Sequence, residues 1–123
     1  MKKEIGLVLS GGGVKAIAHI GFIKVLLENN VIPTRVSGTS AGALVSALYA
    51  NGYSPEQMIS FFKQTPLFKF SLYAINKPGL MDSAKYAEFF EDFFPKNSFV
   101  DLKYPLTVTA TDLLSGKLTY FNE

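Results

Sequence analysis

The sequence predicts an α/β fold with a mostly parallel central sheet, helices on both faces in three layers, and a sheet that is incomplete at the C-terminus. Two short segments predicted as strands, the apolar residues 5–9 and residues 35–37, each end in a glycine-rich turn that opens into a segment of helical periodicity. Strand, turn, helix and strand in succession form a βαβ unit, which is right-handed and has parallel strands. With 123 residues, 48% of them hydrophobic, the chain has enough material for one domain with a core.

The first half of the chain supplies the βαβ unit. The run at 5–9 is apolar enough for a buried parallel strand, and apolar residues recur at helical spacing from 16 to 29. Gly21 lies inside that helix, where glycine costs about 1 kcal/mol relative to alanine, so we expect it to allow close packing on the sheet. A helix over 41–50 follows the second strand.

The second half adds two helices and two strands. A capping box at 54–57, with proline in the first helical position, predicts the start of a helix that ends near residue 64. A phenylalanine-rich helix is expected to continue as far as Pro95. Alternating apolar residues over 105–111 predict a third strand, and a turn at 114–117 leads into a fourth.

Composition and charge exclude several classes of function. The net charge is +2 and the basic residues are scattered, which gives no patch for nucleic acid. The absence of cysteine excludes a disulfide scaffold and a zinc–thiolate site, and it fits a reducing compartment. The apolar run after the basic N-terminus is too short for a signal peptide, and no run reaches the length of about eighteen apolar residues needed for a membrane span. We therefore expect a soluble, cytoplasmic domain.

The segment Gly38-Thr39-Ser40-Ala41-Gly42 is the candidate catalytic centre. A serine on a sharp strand-to-helix turn projects its hydroxyl away from both elements, and the N-terminus of the following helix favours a developing negative charge. Gly38 and Gly42 are expected at this elbow because a Cβ at either place would crowd the neighbouring chain. Ser40 is the predicted nucleophile, with a helix N-cap as the alternative.

A second glycine cluster, Ser10-Gly11-Gly12-Gly13-Val14-Lys15, follows the first strand. The carboxyl ends of neighbouring parallel strands meet at one edge of a sheet, so this loop is expected beside Ser40. An oxyanion hole needs N–H donors that converge on one small anionic oxygen, and an exposed glycine run provides them. Lys15 is a candidate to steady the oxyanion loop or to contact an anionic headgroup, with a solvated lysine as the alternative. The predicted oxyanion donors are Gly11, Gly12, Gly13 and Val14.

The same loop also fits a nucleotide-binding pattern. Residues 11–16 match the dinucleotide fingerprint G-x-G-x-x-A after a strand. That fingerprint requires an acidic residue at the end of the second strand, which leads instead into Gly38 and Thr39. The Gly-Lys-Ser/Thr ending of the Walker pattern is missing as well. A nucleotide-binding α/β module is therefore the weaker alternative.

With both glycine motifs in place, the sequence resembles the patatin-like phospholipases, lipid acyl hydrolases that use a serine–aspartate dyad. The family's glycine triplet with a basic residue stands here at 11–16, and its serine motif at 38–42. The resemblance extends to His19-Ile20-Gly21 and to Thr109-Ala110-Thr111-Asp112. There are two departures: Ala16 replaces the usual glycine, and the Asp-Gly-Gly or Asp-Gly-Ala motif that carries the dyad aspartate does not occur.

The general base is the part of the site that the sequence does not identify. His19 lies in the first turn of a helix, where we expect a packed or hydrogen-bonded histidine rather than a base. Asp112 ends a central strand on the correct edge, but leucines rather than glycines follow it, so a turn-forming role is the alternative. The resemblance implies that the base lies beyond Glu123. Residues 1–123 would then be the N-terminal portion of one patatin-like catalytic domain, with no second domain.

The resemblance implies hydrolysis of lipid acyl esters, of phospholipase A or lysophospholipase type, through an acyl-enzyme on Ser40. No metal or other cofactor is expected, and without its base the chain alone is expected to be inactive. The expected partners are a lipid or phospholipid substrate and a membrane surface contacted transiently; the oligomeric state stays open. A non-catalytic lipid-binding domain is the second alternative. The segment 67–75, which has weak periodicity and several aromatic residues, is the predicted lid or acyl-chain pocket.

Overall fold

The computed structural model of the chain describes residues 4–65 and 83–123. The predicted lid or acyl-chain pocket at 67–75 lies outside these ranges. Helices and strands occur in the predicted order, and a 3₁₀ turn at Gly13–Ala16 precedes the first helix. The elements are β1 (Gly6–Leu9), α1 (Ile17–Glu28), β2 (Arg35–Thr39), α2 (Ala41–Ala50), α3 (Pro55–Gln64), α4 (Ser83–Glu91), β3 (Leu106–Thr111) and β4 (Leu118–Phe121).

One four-stranded sheet organises the described residues, in the order β1-β2-β3-β4. β1, β2 and β3 run parallel, and β4 returns antiparallel to β3 as the second arm of a hairpin. Leu9 is paired with Gly38, and Thr39 with Thr109, so the carboxyl ends of the three parallel strands meet at one edge. The mostly parallel α/β class predicted from the sequence is confirmed.

The core lies between this sheet and the helices that pack on it. Leu7, Val36 and Leu106 are register partners on three neighbouring strands, and all three are buried. Val8 points to the opposite face, because side chains alternate along a strand, and it is 79% exposed. Burial of the apolar face that carries Leu7, Val36 and Leu106 therefore fixes the ends of the strands relative to the helices. The helical part of this core includes Ile20, Ile23, Val45, Leu48, Met58 and Phe61.

Helix α2 is almost entirely buried, and side chains in its middle and near its C-terminus hydrogen-bond to β2 and to the segment before it. Eight of its ten residues are buried. The Ser46 hydroxyl donates to the Ser37 carbonyl at 3.1 Å, which joins α2 to β2. The Tyr49 hydroxyl donates to the Pro33 carbonyl at 2.9 Å. Burial, and secondly the adjacent Tyr104, raise the pKa of Tyr49 to about 12. These contacts determine where the N-terminus of α2 lies at the sheet edge.

Helix α3 follows the prediction, whereas α4 departs from it. The capping box at the start of α3 is confirmed, with its two hydrogen bonds at 2.8 and 3.3 Å. Helix α4 ends at Glu91 and does not continue to Pro95. The Phe93 carbonyl instead accepts hydrogen bonds from the Asn51 side chain at 3.0 Å and from the Tyr53 hydroxyl at 2.9 Å, so tertiary contacts end the helix early. Within the two described ranges, no helix is long and apolar enough to span a membrane.

Candidate active site

The turn between β2 and α2 consists of a single residue. β2 ends at Thr39 and α2 begins at Ala41, which leaves Ser40 between them. The Ser40 backbone has φ 53° and ψ −132°, and a positive φ is uncommon for a residue with a Cβ. Such a conformation costs about 1–3 kcal/mol, which the packing around it must offset. The turn therefore presents an exposed serine at the end of a half-buried strand.

Two glycines allow this turn to close. A Cβ placed on Gly38 would lie 2.6 Å from the carbonyl carbon of Gly42 and 2.7 Å from the nitrogen of Ala43. A Cβ placed on Gly42 would lie 2.5 Å from the carbonyl oxygen of Leu9. Real Cβ atoms essentially never come within 3.0 Å of such atoms, and backbone cannot rotate away as a side chain does. The ends of β1 and β2 and the start of α2 thus pack at a distance that only glycine permits.

The glycine loop that follows β1 meets this turn. β1 and β2 are parallel neighbours, so both chains leave the sheet at the same edge. A Cβ placed on Gly11 would lie 3.1 Å from the Cβ of Ser40 and 3.7 Å from its Oγ. The loop then enters the 3₁₀ turn at Gly13–Ala16 with a φ of 56° at its first residue. The two glycine motifs are therefore in contact in the folded chain.

Backbone N–H groups of this loop face no acceptor in the neighbouring turns. Within residues 4–65 and 83–123, the N–H groups of Gly12, Gly13 and Val14 donate no hydrogen bond to a turn, loop or cap. Gly12 and Val14 are exposed, and so is Lys15, which forms no ion pair with another described residue. Clustered N–H donors with a cation nearby are suited to an anionic oxygen.

His19 contacts the loop. Its Nε2 lies 2.9 Å from the carbonyl oxygen of Ser10. Because a carbonyl oxygen can only accept, Nε2 must carry the proton of this hydrogen bond. The hydrogen-bonded helix histidine predicted from the sequence is confirmed. A nitrogen that donates in this way cannot at the same time take a proton from Ser40.

Asp112 occupies the turn of the hairpin between β3 and β4. Its carboxylate oxygens accept hydrogen bonds from the Leu114 N–H at 3.0 Å and from the Ser115 hydroxyl at 2.6 Å. These bonds, that of Ser115 first, hold the pKa of Asp112 below its usual value. A lowered pKa makes a carboxylate a weaker proton acceptor, so the geometry favours the turn-forming alternative.

Other carboxylates of the described ranges do not complete the site. None of them is hydrogen-bonded to the Ser40 hydroxyl, and Asp101 accepts a hydrogen bond from Lys96 at 3.3 Å. Nor do these ranges contain a group of three or more histidine or acidic side chains that could hold a metal ion. The residues brought together at the edge are thus a serine and backbone donors.

An apolar cavity of about 300 Å³ beside α2 was not predicted from the sequence. Ala43 on its wall lies one turn along α2 from Ser40, and Val108 on its wall is paired with Gly38. The sequence signal that could have found it is the density of phenylalanine at 89–99. Its walls include Leu44, Ala47, Phe90, Phe94, Phe99 and Val108.

The chain has measurable similarity to known proteins. The model of the patatin-like phospholipase family matches residues 7–122. An uncharacterized NTE family protein of Mycobacterium bovis is 29% identical over 120 residues, which make up 96% of this chain and 33% of that protein. Lysophospholipase NTE1 of Coccidioides immitis is 52% identical over 48 residues, or 39% of this chain and 3% of that protein.

A solved structure shares the fold. It is a chain in the crystal structure of SpcU in complex with ExoU, from the type III secretion system of Pseudomonas aeruginosa, and it superimposes with a TM-score of 0.66 at 21% identity. The superposition covers 97% of this chain and 35% of that chain, so our chain spans about a third of the length of that structure and of the mycobacterial relative. Because the family model covers nearly every residue of the sequence, the chain belongs to the patatin-like phospholipase family.

Proposed function

We propose that this chain supplies the nucleophile and the oxyanion donors for hydrolysis of acyl esters in lipids, of the phospholipase A or lysophospholipase type. Members of the family are lipid hydrolases, and a lysophospholipase is among the similar proteins. The Ser40 Oγ attacks the ester carbonyl carbon, whose oxygen becomes an oxyanion. Collapse of this intermediate expels the alcohol and leaves an acyl-enzyme, which water hydrolyses to the free fatty acid and Ser40.

The contact between Gly11 and Ser40 carries this proposal. An ester carbonyl must place its carbon at the nucleophile and its oxygen about 3 Å from N–H donors at the same time. A Cβ on Gly11 would lie 3.1 Å from the Cβ and 3.7 Å from the Oγ of Ser40. The loop is therefore close enough to the nucleophile for a single ester carbonyl to contact both. One such donor contributes about a hundred- to a thousand-fold in kcat. The proposed donors are the N–H groups of Gly11, Gly12, Gly13 and Val14.

The proposed base is an aspartate outside these 123 residues. The resembled family uses an aspartate that contacts the serine hydroxyl directly, within an Asp-Gly-Gly or Asp-Gly-Ala motif that this sequence does not contain. Asp112 is the weaker candidate because both of its oxygens already accept hydrogen bonds within its own turn. The aspartate would take the proton of Ser40 during attack and return it to the departing alcohol.

Three features support a lipid substrate. An acyl chain is the part of a lipid that can fill the apolar cavity of about 300 Å³ beside α2. Leu113 and Leu114, in the turn of the hairpin at the same sheet edge, are 91% and 99% exposed. Exposed leucines suit transient contact with a membrane surface, and the exposed Lys15 suits an anionic headgroup.

The proposal is tested in the full-length protein with a fluorophosphonate probe and a lysophospholipid. The wild type is expected to be labelled at Ser40, as mapped by mass spectrometry, and to release fatty acid. Ser40→Ala should abolish labelling and lower kcat about a thousand-fold or more, because the nucleophile is gone. Ser115→Ala removes another exposed serine at the same edge and is the matched control. It should keep both labelling at Ser40 and release of fatty acid.

Three results would contradict the proposal. Ester hydrolysis that persists in Ser40→Ala would assign the chemistry to another residue. A wild type that binds lipid without being labelled or turning it over would indicate a non-catalytic lipid-binding domain. Binding of a labelled dinucleotide at micromolar concentration would favour the nucleotide-binding module.

A further inference from the structure

The loop that supplies the proposed oxyanion donors has little conformational preference of its own. Its three consecutive glycines, residues 11–13, can adopt positive and negative φ at similar energy. A peptide plane in such a run can rotate so that its N–H and C=O exchange directions. Because an oxyanion is stabilised only by donors that already point at it, a contact from outside the run has to fix these planes.

The peptide between Ser10 and Gly11 is held on both sides. Its carbonyl oxygen accepts a hydrogen bond from His19 Nε2 at 2.9 Å. The same oxygen packs against Gly42, where an added Cβ would collide with it. At the other end of the peptide, Gly11 lies against Ser40, at the distances given above. This peptide therefore sits between α1, the start of α2 and the nucleophile.

A hydrogen bond to this carbonyl also determines the direction of an N–H group. In a trans peptide the C=O and the N–H point in opposite directions, and no peptide within the described ranges is cis. We propose that His19 is a positioning residue: by donating to the Ser10 carbonyl, it fixes the Ser10–Gly11 peptide and so aims the Gly11 N–H, one of the proposed oxyanion donors, at the ester attacked by Ser40. This inference rests on the proposed function of Ser40.

Two substitutions separate this role from a role as general base. The side-chain amide of glutamine in His19→Gln can donate an N–H from nearly the same position as Nε2, but it cannot accept a proton as a base. The ring of phenylalanine in His19→Phe has a similar shape and no donor. A positioning role therefore predicts that glutamine restores what phenylalanine removes, whereas a base predicts that both variants fail.

The kinetic test uses both variants in the full-length protein with a lysophospholipid or a soluble acyl ester. For His19→Phe we expect kcat to fall about ten- to a hundred-fold, because the donors are aimed less well at the oxyanion. KM should change by less than about threefold, since the oxyanion exists only in the transition state. For His19→Gln we expect kcat within about fivefold of the wild type. Equal loss in both variants, or full activity of His19→Phe, would overturn the proposal.

A second measurement decides the question without any turnover. Long-range ¹H–¹⁵N correlation of the wild-type histidine at pH 8 should show the tautomer with its proton on Nε2, and the Gly11 amide resonance should shift in His19→Phe but not in His19→Gln. A proton on Nδ1, or an unmoved Gly11 resonance, would overturn the proposal. These spectra distinguish failure of the proposed function from failure of the His19 proposal. Activity that persists in Ser40→Ala refutes the proposed function, while the tautomer still reports whether His19 holds the peptide.

Discussion

The turn after β2 and the turn after β3 leave the same edge of the sheet, from strands that are paired at Thr39 and Thr109. The Thr39 hydroxyl also donates to the Thr109 carbonyl at 3.3 Å. The first turn is Ser40 alone, and its conformation is held by contacts from β1 and α2. The second turn is held by its own residues, since the oxygens of Asp112 accept hydrogen bonds from within the turn.

Gly42, just after the first turn, and Gly116, in the second, show the same contrast. Gly42 has backbone atoms of β1 within 3 Å of where its Cβ would be, whereas Gly116, with a φ of 67°, has no atom of the described residues beyond its chain neighbours within 4 Å of that position. Local hydrogen bonds are sufficient to build a stable turn. A strained serine such as Ser40 is kept in place only when surrounding elements leave the backbone no alternative. Substitutions at the first turn should therefore destabilise the whole fold, and substitutions in the second should have only local effects.

The largest effect is predicted for Gly42→Ala. The added Cβ would overlap the carbonyl oxygen of Leu9, so α2 would have to move away from β1. Overpacking typically destabilises by about 1–3 kcal/mol, and a collision with rigid backbone places this variant at the upper end of that range. We expect a corresponding loss in the free energy of unfolding measured with urea, together with loss of fluorophosphonate labelling at Ser40 in whatever fraction stays folded.

Gly21→Ala is the matched control. Gly21 is exposed in α1, and among the described residues a Cβ there would meet no atom outside its own helix within 4 Å. Alanine should raise the free energy of unfolding by up to about 1 kcal/mol through its better helix propensity. If Gly42→Ala were as stable as the wild type, the close packing around Ser40 would not be what holds the turn, and the contrast between the two turns would fail.

The sequence predicted the elements whose causes are local. The start of α3 was predicted because its capping box is written in four consecutive residues, 54–57. The fold class was predicted because apolar strands and glycine turns alternate with helical segments. The end of α4 was not, because it depends on hydrogen bonds from Asn51 and Tyr53, about forty residues earlier in the chain. Tertiary contacts of this kind override local preference.

In the candidate site, too, the features with local causes were predicted and those that depend on tertiary contacts were not. The glycines at 38 and 42 were read from their spacing around Ser40, because the steric demand of a sharp elbow is local. Gly21 was expected to allow close packing on the sheet, and this was wrong: it is exposed, and within residues 4–65 and 83–123 no atom outside its own helix lies within 4 Å of its Cβ position. Spacing alone cannot show which face of a helix a glycine occupies when apolar residues cover most of its circumference. The cavity beside α2 was also missed, because its walls come from segments far apart in sequence.

An intermediate effect is predicted for Ser46→Ala, which removes a buried hydroxyl and is compared with Ser115→Ala, which removes an exposed one. Ser46 is fully buried, and its hydroxyl joins α2 to the Ser37 carbonyl behind the first turn. Alanine fills nearly the same space but leaves that hydrogen bond unmade, which should lower the free energy of unfolding by about 1 kcal/mol. Ser115→Ala, in the exposed second turn, should change it by less than about 0.5 kcal/mol. Equal effects in urea unfolding would show that α2 does not depend on this link.

The smallest effect is predicted for Asp112→Asn, and its pH dependence tests the second turn directly. The hydrogen bonds from Ser115 and Leu114 lower the pKa of Asp112, so the folded state favours the carboxylate. The stabilisation is therefore present above the ordinary pKa of 3.8 and is lost as the pH falls through the lower, folded-state pKa. The wild type should have a slightly higher urea midpoint than Asp112→Asn at pH 7, and the difference should shrink below about pH 3.8. The difference should be small because the carboxylate is exposed to water.

Turnover by the same variant decides whether the two turns are separate. If Asp112 only shapes its hairpin, kcat for ester hydrolysis in full-length Asp112→Asn should stay within about twofold of the wild type, since the amide keeps one acceptor oxygen for the Leu114 N–H. If kcat instead falls as far as in Ser40→Ala, the carboxylate is the proton acceptor. The hairpin would then belong to the catalytic site, and the two turns that leave this edge would act as one unit.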